Sequence, residues 1–364
     1  MDFSAKSKKQ RNRQKNKKKQ RLRLIIVIIG LLVAIGCFVY IFVFGNKVED
    51  IIPIKDKKKL TIVDEDSNKR PIAVMYDNNV GNNAHAGLQE SYITYEIIVE
   101  GGLTRIMAVF KDKDVDLIGP VRSSRHYFLD YALEGDSIYT HFGWSPEAQR
   151  SIKSLGVNNI NGLNDSAPFW RERSIAAPHN VFTTTAKIYE TAEDKGYSTE
   201  TDDWKVLPLT TDKINLNKIK VKDEETGKKV KDPDLVKANE VVIPYSPRQT
   251  RSYEYDSDTK RYLRFMNGNA HTDKESGKQL SYKNIIIMKV ANSNLDEKGR
   301  QDLDTVGSGE GYYITNGYVL PIEWSKASRK AKTKFTYKNG KKLKINDGNT
   351  FIQITPIDSD ITIN

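Results

Sequence analysis

The stretch with the most chemistry is VEGGLTRIMAVFKDKDVDLIGPVRSSR, ending at Arg125. Arg105 lies inside an apolar run, and Arg122, Ser123, Ser124 and Arg125 follow a Gly-Pro. Guanidinium groups offer planar, paired donors that fit phosphate or carboxylate. The next residues, SSRHYFLDYALEG, set Phe128, Leu129, Ala132 and Leu133 on one helical face. Ser123 or Ser124 would be the N-cap and Gly135 the stop. The first turn of such a helix has unpaired N–H groups and a dipole that favour an anion. The sequence therefore predicts an anion seat at Arg105, Arg122, Ser123, Ser124 and Arg125. The competing expectation is that Arg122 pairs with an internal carboxylate such as Glu96 or Glu100 and locks the fold.

A second set of residues forms a possible polar site, Asp77, Glu96, Glu100, His141 and His179, with a satisfied structural role the expectation for each histidine. His126, Asp130 and Glu147 are further titratable groups, but nothing in their spacing selects an acid–base pair. The histidines are too scattered for an H-E-x-x-H or similar motif, so no metal is expected. There is no G-x-x-x-x-G-K-[ST] loop and no G-x-S-x-G elbow. No cofactor is expected. The only cysteine, Cys37, lies in an apolar segment, which leaves the rest of the chain without a thiol nucleophile or a disulfide.

The elements that must position these residues alternate in the first half. RPIAVMYDN, LQESYITYEIIVEGG, LTRIMAVFKDKD, VDLIG and DSIYTHFG are strand-like. SPEAQRSIKSLG is a marked helix, with Ser145 as cap, Pro146 at the first position and Gly156 at the end. TTTAKIYETAEDKG is another, stopped by Gly196. This predicts a mixed α/β, α+β domain over residues 70–198. A polar connection follows over 199–239. From 240 to 358 the runs are strand-like, and Asn316-Gly317 and Asn339-Gly340 signal hairpins. The expectation is a small β-rich domain able to fold alone.

Residues 1–23 carry eleven Lys or Arg and one Asp, which accounts for nearly all of the chain's net charge of +11. The remainder is close to neutral, which argues against nucleic acid as a partner. Leu24 to Phe44 has no charge. At 1.5 Å per residue it is long enough to cross the roughly 30 Å core of a bilayer. The basic flank places the N-terminus in the cytoplasm and the domains outside. Residues 45–69 read as a stalk. AIGC, ending at Cys37, loosely matches a lipoprotein cleavage box, so the anchor is either a single-pass helix or a lipid on Cys37.

Read together, RPIAVMYDN, YEIIVEGGLTRIMAVF, IGPVRSSRHYFLDYA, IYTHFGWSPEA and APHNVFT resemble the N-terminal domain of the YerB-like family. VGSGEGYYITNGYVLPIEWSK and GNTFIQITP resemble its C-terminal domain. The resemblance covers about residues 70–356. It implies an extracytoplasmic, membrane-anchored, two-domain envelope protein of Gram-positive bacteria, in a family of unknown function. The family's better-known members resemble lipoproteins, whereas the apolar segment here is long enough to span. Strand, KDKD turn, strand and GPVRSSR are also similar in layout to LytR-CpsA-Psr proteins, which attach phosphate-linked glycopolymers to the wall. The leading expectation is a non-enzymatic envelope protein that binds a cell-wall polymer or a membrane partner such as a cell-wall synthesis protein. The alternative is an enzyme acting on phosphate-linked glycopolymer precursors through the arginine-lined anion site.

Overall fold

The computed structural model describes residues 17–19, 21–22, 24–40, 58–223 and 225–364. Most of the basic tail, the end of the apolar segment and most of the stalk lie outside the described residues. The chain divides into two units, Met1–Lys58 and Lys59–Asn364. In the first, Lys17–Tyr40 is a helix of 24 residues, long and apolar enough to cross a membrane by length and composition. Its apolar residues are exposed all round, Cys37 among them.

The second unit starts with β1 (Ile72–Asp77), β2 (Ile93–Ile98) and β3 (Thr104–Phe110), every residue of which is buried. β3 pairs antiparallel with both of the others. β4 (Ile138–His141) and β5 (Asn159–Asn161) add parallel beyond β1. Three helices join them: α1 (Phe128–Ala132), α2 (Pro146–Leu155) and α3 (Thr185–Asp194). The ends of α2 follow the sequence signals. Ser145 Oγ accepts the Ala148 N–H, and Gly156 closes the helix in the left-handed region. In α3, Thr184 accepts the Lys187 N–H.

Two expected elements form differently. VDLIG makes isolated bridges, Ala86 with Gly119 and Ile118 with Thr183, and no continuous ladder. The helix expected after Ser123 or Ser124 begins only at Phe128, has five residues and has no side-chain cap. The reason is local. The Ser124 N–H donates to Gly143 O and the Phe142 N–H to Arg122 O, so residues 122–124 are held extended against 142–143. Ser124 Oγ accepts the Tyr139 hydroxyl at 2.7 Å.

Beside several short strands of two or three residues, the later strands that build the main sheets are β6 (Val236–Lys237), β7 (Glu240–Ser246), β8 (Gln249–Asp256), β9 (Arg261–Met266), β10 (Asn284–Val290), β11 (Gly307–Thr315), β12 (Tyr318–Lys326), β13 (Lys334–Tyr337) and β14 (Thr350–Pro356). The fold class is the expected one, a mixed α/β part followed by a β-rich part. The hydrogen bonding, however, does not stop between them. One 11-stranded sheet runs β6-β12-β11-β10-β14-β2-β3-β1-β4-β5, with β13 on β12. β14 pairs parallel with β10 on one side and with β2 on the other. The end of the stalk also belongs to this unit: Val63 is buried, and the Asp347 carboxylate accepts from Thr61 N, Thr61 Oγ1 and Ile62 N.

Layers form on both faces of the central strands. Neighbouring residues of a strand point to opposite faces. Tyr95 of β2 stacks on Tyr131 of α1 with ring centroids 5.0 Å apart. Glu96 faces the second sheet, in which β7, β8 and β9 are neighbours. Tyr253 and Tyr282 meet the ring of Phe351 edge-on there. Asn316-Gly317 closes the β11–β12 hairpin with both residues at positive φ, a type I′ turn. Asn267-Gly268 does the same after β9.

Candidate functional site

The structure brings Arg105, Arg122, Arg125, Asp77, Glu100 and His179 together at one end of β1–β3. Asp77 is the last residue of β1 and faces Arg105 across the β1–β3 ladder. Residues 120–122 run alongside β1: the Asp77 N–H donates to Pro120 O and the Arg122 N–H to Met75 O. Arg122 Nε is therefore 3.2 Å from Asp77 Oδ2. His179 Nδ1 is 2.7 Å from the same oxygen, and Asp77 Oδ1 accepts the Asn79 N–H. The carboxylate is almost fully buried, whereas the Arg122 and His179 side chains are 27% and 30% exposed.

Glu100 lies on the turn between β2 and β3, where Gly101 and Gly102 both take positive φ. Arg125 grips it as a fork: Nε donates to Oε2 at 2.9 Å and Nη2 to Oε1. Arg105 Nη2 is 3.6 Å from Oε1. Burial alone would raise the Glu100 pKa, but Arg125 and then Arg105 outweigh it and lower it. Arg105 donates to Ser123 O. Its pKa is lowered to about 10 by burial, with Arg125 and Arg122 adding repulsion and Glu100 and Asp77 opposing it. So Arg122 has an internal carboxylate, but it is Asp77 and not Glu96 or Glu100. Ser123 and Ser124 contribute backbone carbonyls to Arg105 and Arg125. A five-residue uncapped α1 gives no helix terminus for an anion, so that part of the expected seat does not exist.

Glu96 and His141 stand apart from this cluster. His141 is buried, with Nδ1 donating to Gly143 O and Nε2 accepting from Asn159 Nδ2. Burial lowers its pKa to about 4. Glu96 is enclosed by β8 and β9: Arg251 Nε and Arg264 Nη2 each donate to it at 2.6 Å. Thr104 Oγ1 and Asn78 Nδ2 also donate to Glu96 Oε1. Burial would raise the Glu96 pKa, yet the two arginines hold it at about 2. The network continues by one-way donation: Arg264 to His271 Nδ1, His271 Nε2 to His85 Nδ1, and His85 Nε2 to Asp77 O. Each ring is thereby a neutral tautomer. Arg251, Arg264, His85 and His271 were not expected at a site, because single Arg and His residues far apart in the chain carry no local signal. Among the described residues no three His, Cys, Asp or Glu side chains are grouped to hold a metal ion.

Chemically, the cluster is a largely self-neutralised set of ion pairs with Arg122 and His179 at its surface. A β-rich folded unit whose central sheet is shared by two sequence regions, preceded in the chain by an apolar helix, defines the class of protein. The chain belongs to the family described as protein of unknown function DUF3048: its N-terminal domain matches residues 60–198 and its C-terminal domain residues 241–352. It is 30% identical over 330 residues to the Bacillus subtilis (strain 168) protein described as "Putative lipoprotein YerB", covering 88% of this chain and 93% of that one. The crystal structure of YerB from Bacillus subtilis superposes with a TM-score of 0.71 at 29% identity, over 84% of this chain and all of that one.

Proposed function

We propose that this protein is a non-catalytic binding protein, held at the membrane by its N-terminal segment with the folded unit outside. There it engages a wall component or a membrane partner such as a cell-wall synthesis enzyme. The observation that carries this reading is the internal pairing of the arginines. A guanidinium that serves phosphoryl transfer must offer its donors to the transferring group. Here Arg125 is forked onto Glu100, Arg105 is buried beside both, and Arg122 is on Asp77. The apolar helix and the lipoprotein description of the relative support membrane anchoring.

Crosslinking of the full chain in intact membranes, followed by purification, tests the reading. A specific wall glycan or membrane protein is expected on the purified chain. Recovery of neither would reject binding. Turnover of a phosphate-linked glycopolymer precursor by the purified full chain, lost in Arg122→Ala, would establish the enzyme instead. Protease added to intact protoplasts should remove residues 59–364 and spare the basic tail. Mass analysis of the membrane form separates a retained helix from a chain beginning at acylated Cys37.

A further inference from the structure

We infer that the recess between residues 210–215 and the β11–β12 turn is a binding site for an anion carried on a hydroxyl-rich scaffold, a sugar or polyol phosphate. The inference rests on the binding reading above and names a ligand class for it at a place away from the arginine cluster.

The recess encloses about 590 Å³, within the few hundred Å³ typical of small-molecule sites. Lys213, Lys260 and Lys283 all line it. Lys283 is held in place: its Nζ donates to Lys260 O at 3.1 Å and to Asn316 Oδ1 at 2.5 Å. Neither acceptor carries a charge. Burial lowers its pKa, and Arg261, Lys260 and Lys213 lower it further by repulsion. Cations that converge on one volume in excess of its carboxylates are stabilised by an anion entering it.

The lining also holds two carboxylates. Asp347 accepts from Thr61 and Ile62, and Asp212 is 79% exposed and 4.0 Å from Lys344, so the three lysines outnumber them.

The recess is shaped by glycine at two points. A Cβ on Gly348 would lie 2.6 Å from Lys283 Cβ, and one on Gly317 would lie 2.8 Å from the Tyr255 ring. Both lining side chains thus rest on backbone that only glycine keeps clear. Neutral groups complete the wall. Thr211, Asn215 and the Tyr255 phenol line the recess. Thr210 Oγ1 accepts the Asp212 N–H and keeps its own proton to donate. Hydroxyls and an amide beside an aromatic ring suit a polyhydroxylated ligand, and the lysines suit its phosphate.

The test is calorimetric titration of the full chain in detergent with glucose 1-phosphate, glucose and inorganic phosphate. Glucose 1-phosphate should bind more tightly than inorganic phosphate, and glucose should not bind. Lys213→Ala and Lys260→Ala, both at exposed positions, should each weaken glucose 1-phosphate by about tenfold, the loss of one charge-assisted hydrogen bond. Lys283→Met should abolish binding with the melting temperature retained, and Arg122→Ala should leave it unchanged. No heat from glucose 1-phosphate, equal affinity for inorganic phosphate, or affinity indifferent to the lysine changes would each overturn the inference. If the sugar phosphate fails while membrane crosslinking still retains a partner, this site is wrong and the binding reading stands. If both fail, so does the reading beneath it.

Discussion

Glu96 and Glu100 are four residues apart and hold their arginines under opposite conditions. Glu96 and both of its partners are fully buried, while Glu100 is 30% exposed. Glu96→Ala would leave Arg251 and Arg264 without a counter-charge in the interior, at an expected cost of about 3–5 kcal/mol. Arg122→Ala removes a partly exposed partner from Asp77, which keeps His179 and the Asn79 N–H. Its cost should be smaller, about 1.5–3 kcal/mol for a hydrogen bond to a charged group. Urea unfolding followed by circular dichroism ranks the two, and the reverse order would refute this assignment of roles.

The buried histidines set a pH dependence. His85 and His141 have folded-state pKa values lowered to about 4, chiefly by burial, and that of His271 is lowered well below the usual histidine value, by burial and then by Arg264. An unfolded histidine titrates near ~6.5. Between those values the unfolded chain binds more protons, so stability falls as pH drops from about 6.5 toward 4. Protonating His271 would also set two N–H groups against each other at Arg264. Asp130 and Glu134, whose pKa values burial raises, act in the opposite sense. The histidine share is therefore isolated by comparing the parent chain with His85→Gln. The variant should show a flatter denaturation midpoint against pH over that window; parallel profiles would remove His85 from the argument.

At the scale of elements, two glycines make a matched pair. A Cβ on Gly311 of β11 would come within 2.0 Å of Ile287 O on β10. Gly311→Ala must push these strands apart, and overpacking of this kind costs about 1–3 kcal/mol. Gly268 has φ +80 but open space around it. Gly268→Ala meets only the left-handed backbone penalty, about 1–2 kcal/mol. The discriminating measurement is hydrogen exchange across β10 and β11. Gly311→Ala should speed exchange there selectively, whereas Gly268→Ala should leave those amides protected.

At the scale of the molecule, β14 decides what can fold alone. Its seven residues are all buried, and it hydrogen-bonds to β10 and to β2 at once. A fragment of residues 236–364 would present β14 as a bare apolar edge, and the Glu96 side of the Arg251–Arg264 network would be missing. Such an edge favours aggregation over folding. The strong local turns that suggested an independent β-rich domain do not compensate for this. The fragment should be unfolded or aggregated, and co-expression with residues 59–235 should recover a soluble complex. A monomeric fragment with a cooperative melt would overturn the shared-sheet argument.

What the sequence determined by itself was whatever is encoded within a few residues. The uncharged run from Leu24, the caps and glycine stops of α2 and α3, the Asn316-Gly317 turn and the apolar strands Ile72–Asp77 and Thr104–Phe110 all have local causes: hydropathy, capping and left-handed φ. The family resemblance was legible for the same reason, as ordered runs of residues. Tertiary structure decided the rest. It held Ser123 and Ser124 extended against residues 142–143, where capping preference alone predicted a helix start. It gave Arg122 to Asp77, because residues 120–122 dock along the end of β1. It joined Glu96 to Arg251 and Arg264, which are 155 and 168 residues away, and it placed β14 between two regions that composition divides. Pairing across such distances depends on strand order and register, and neither is written in the local preferences of the residues that meet.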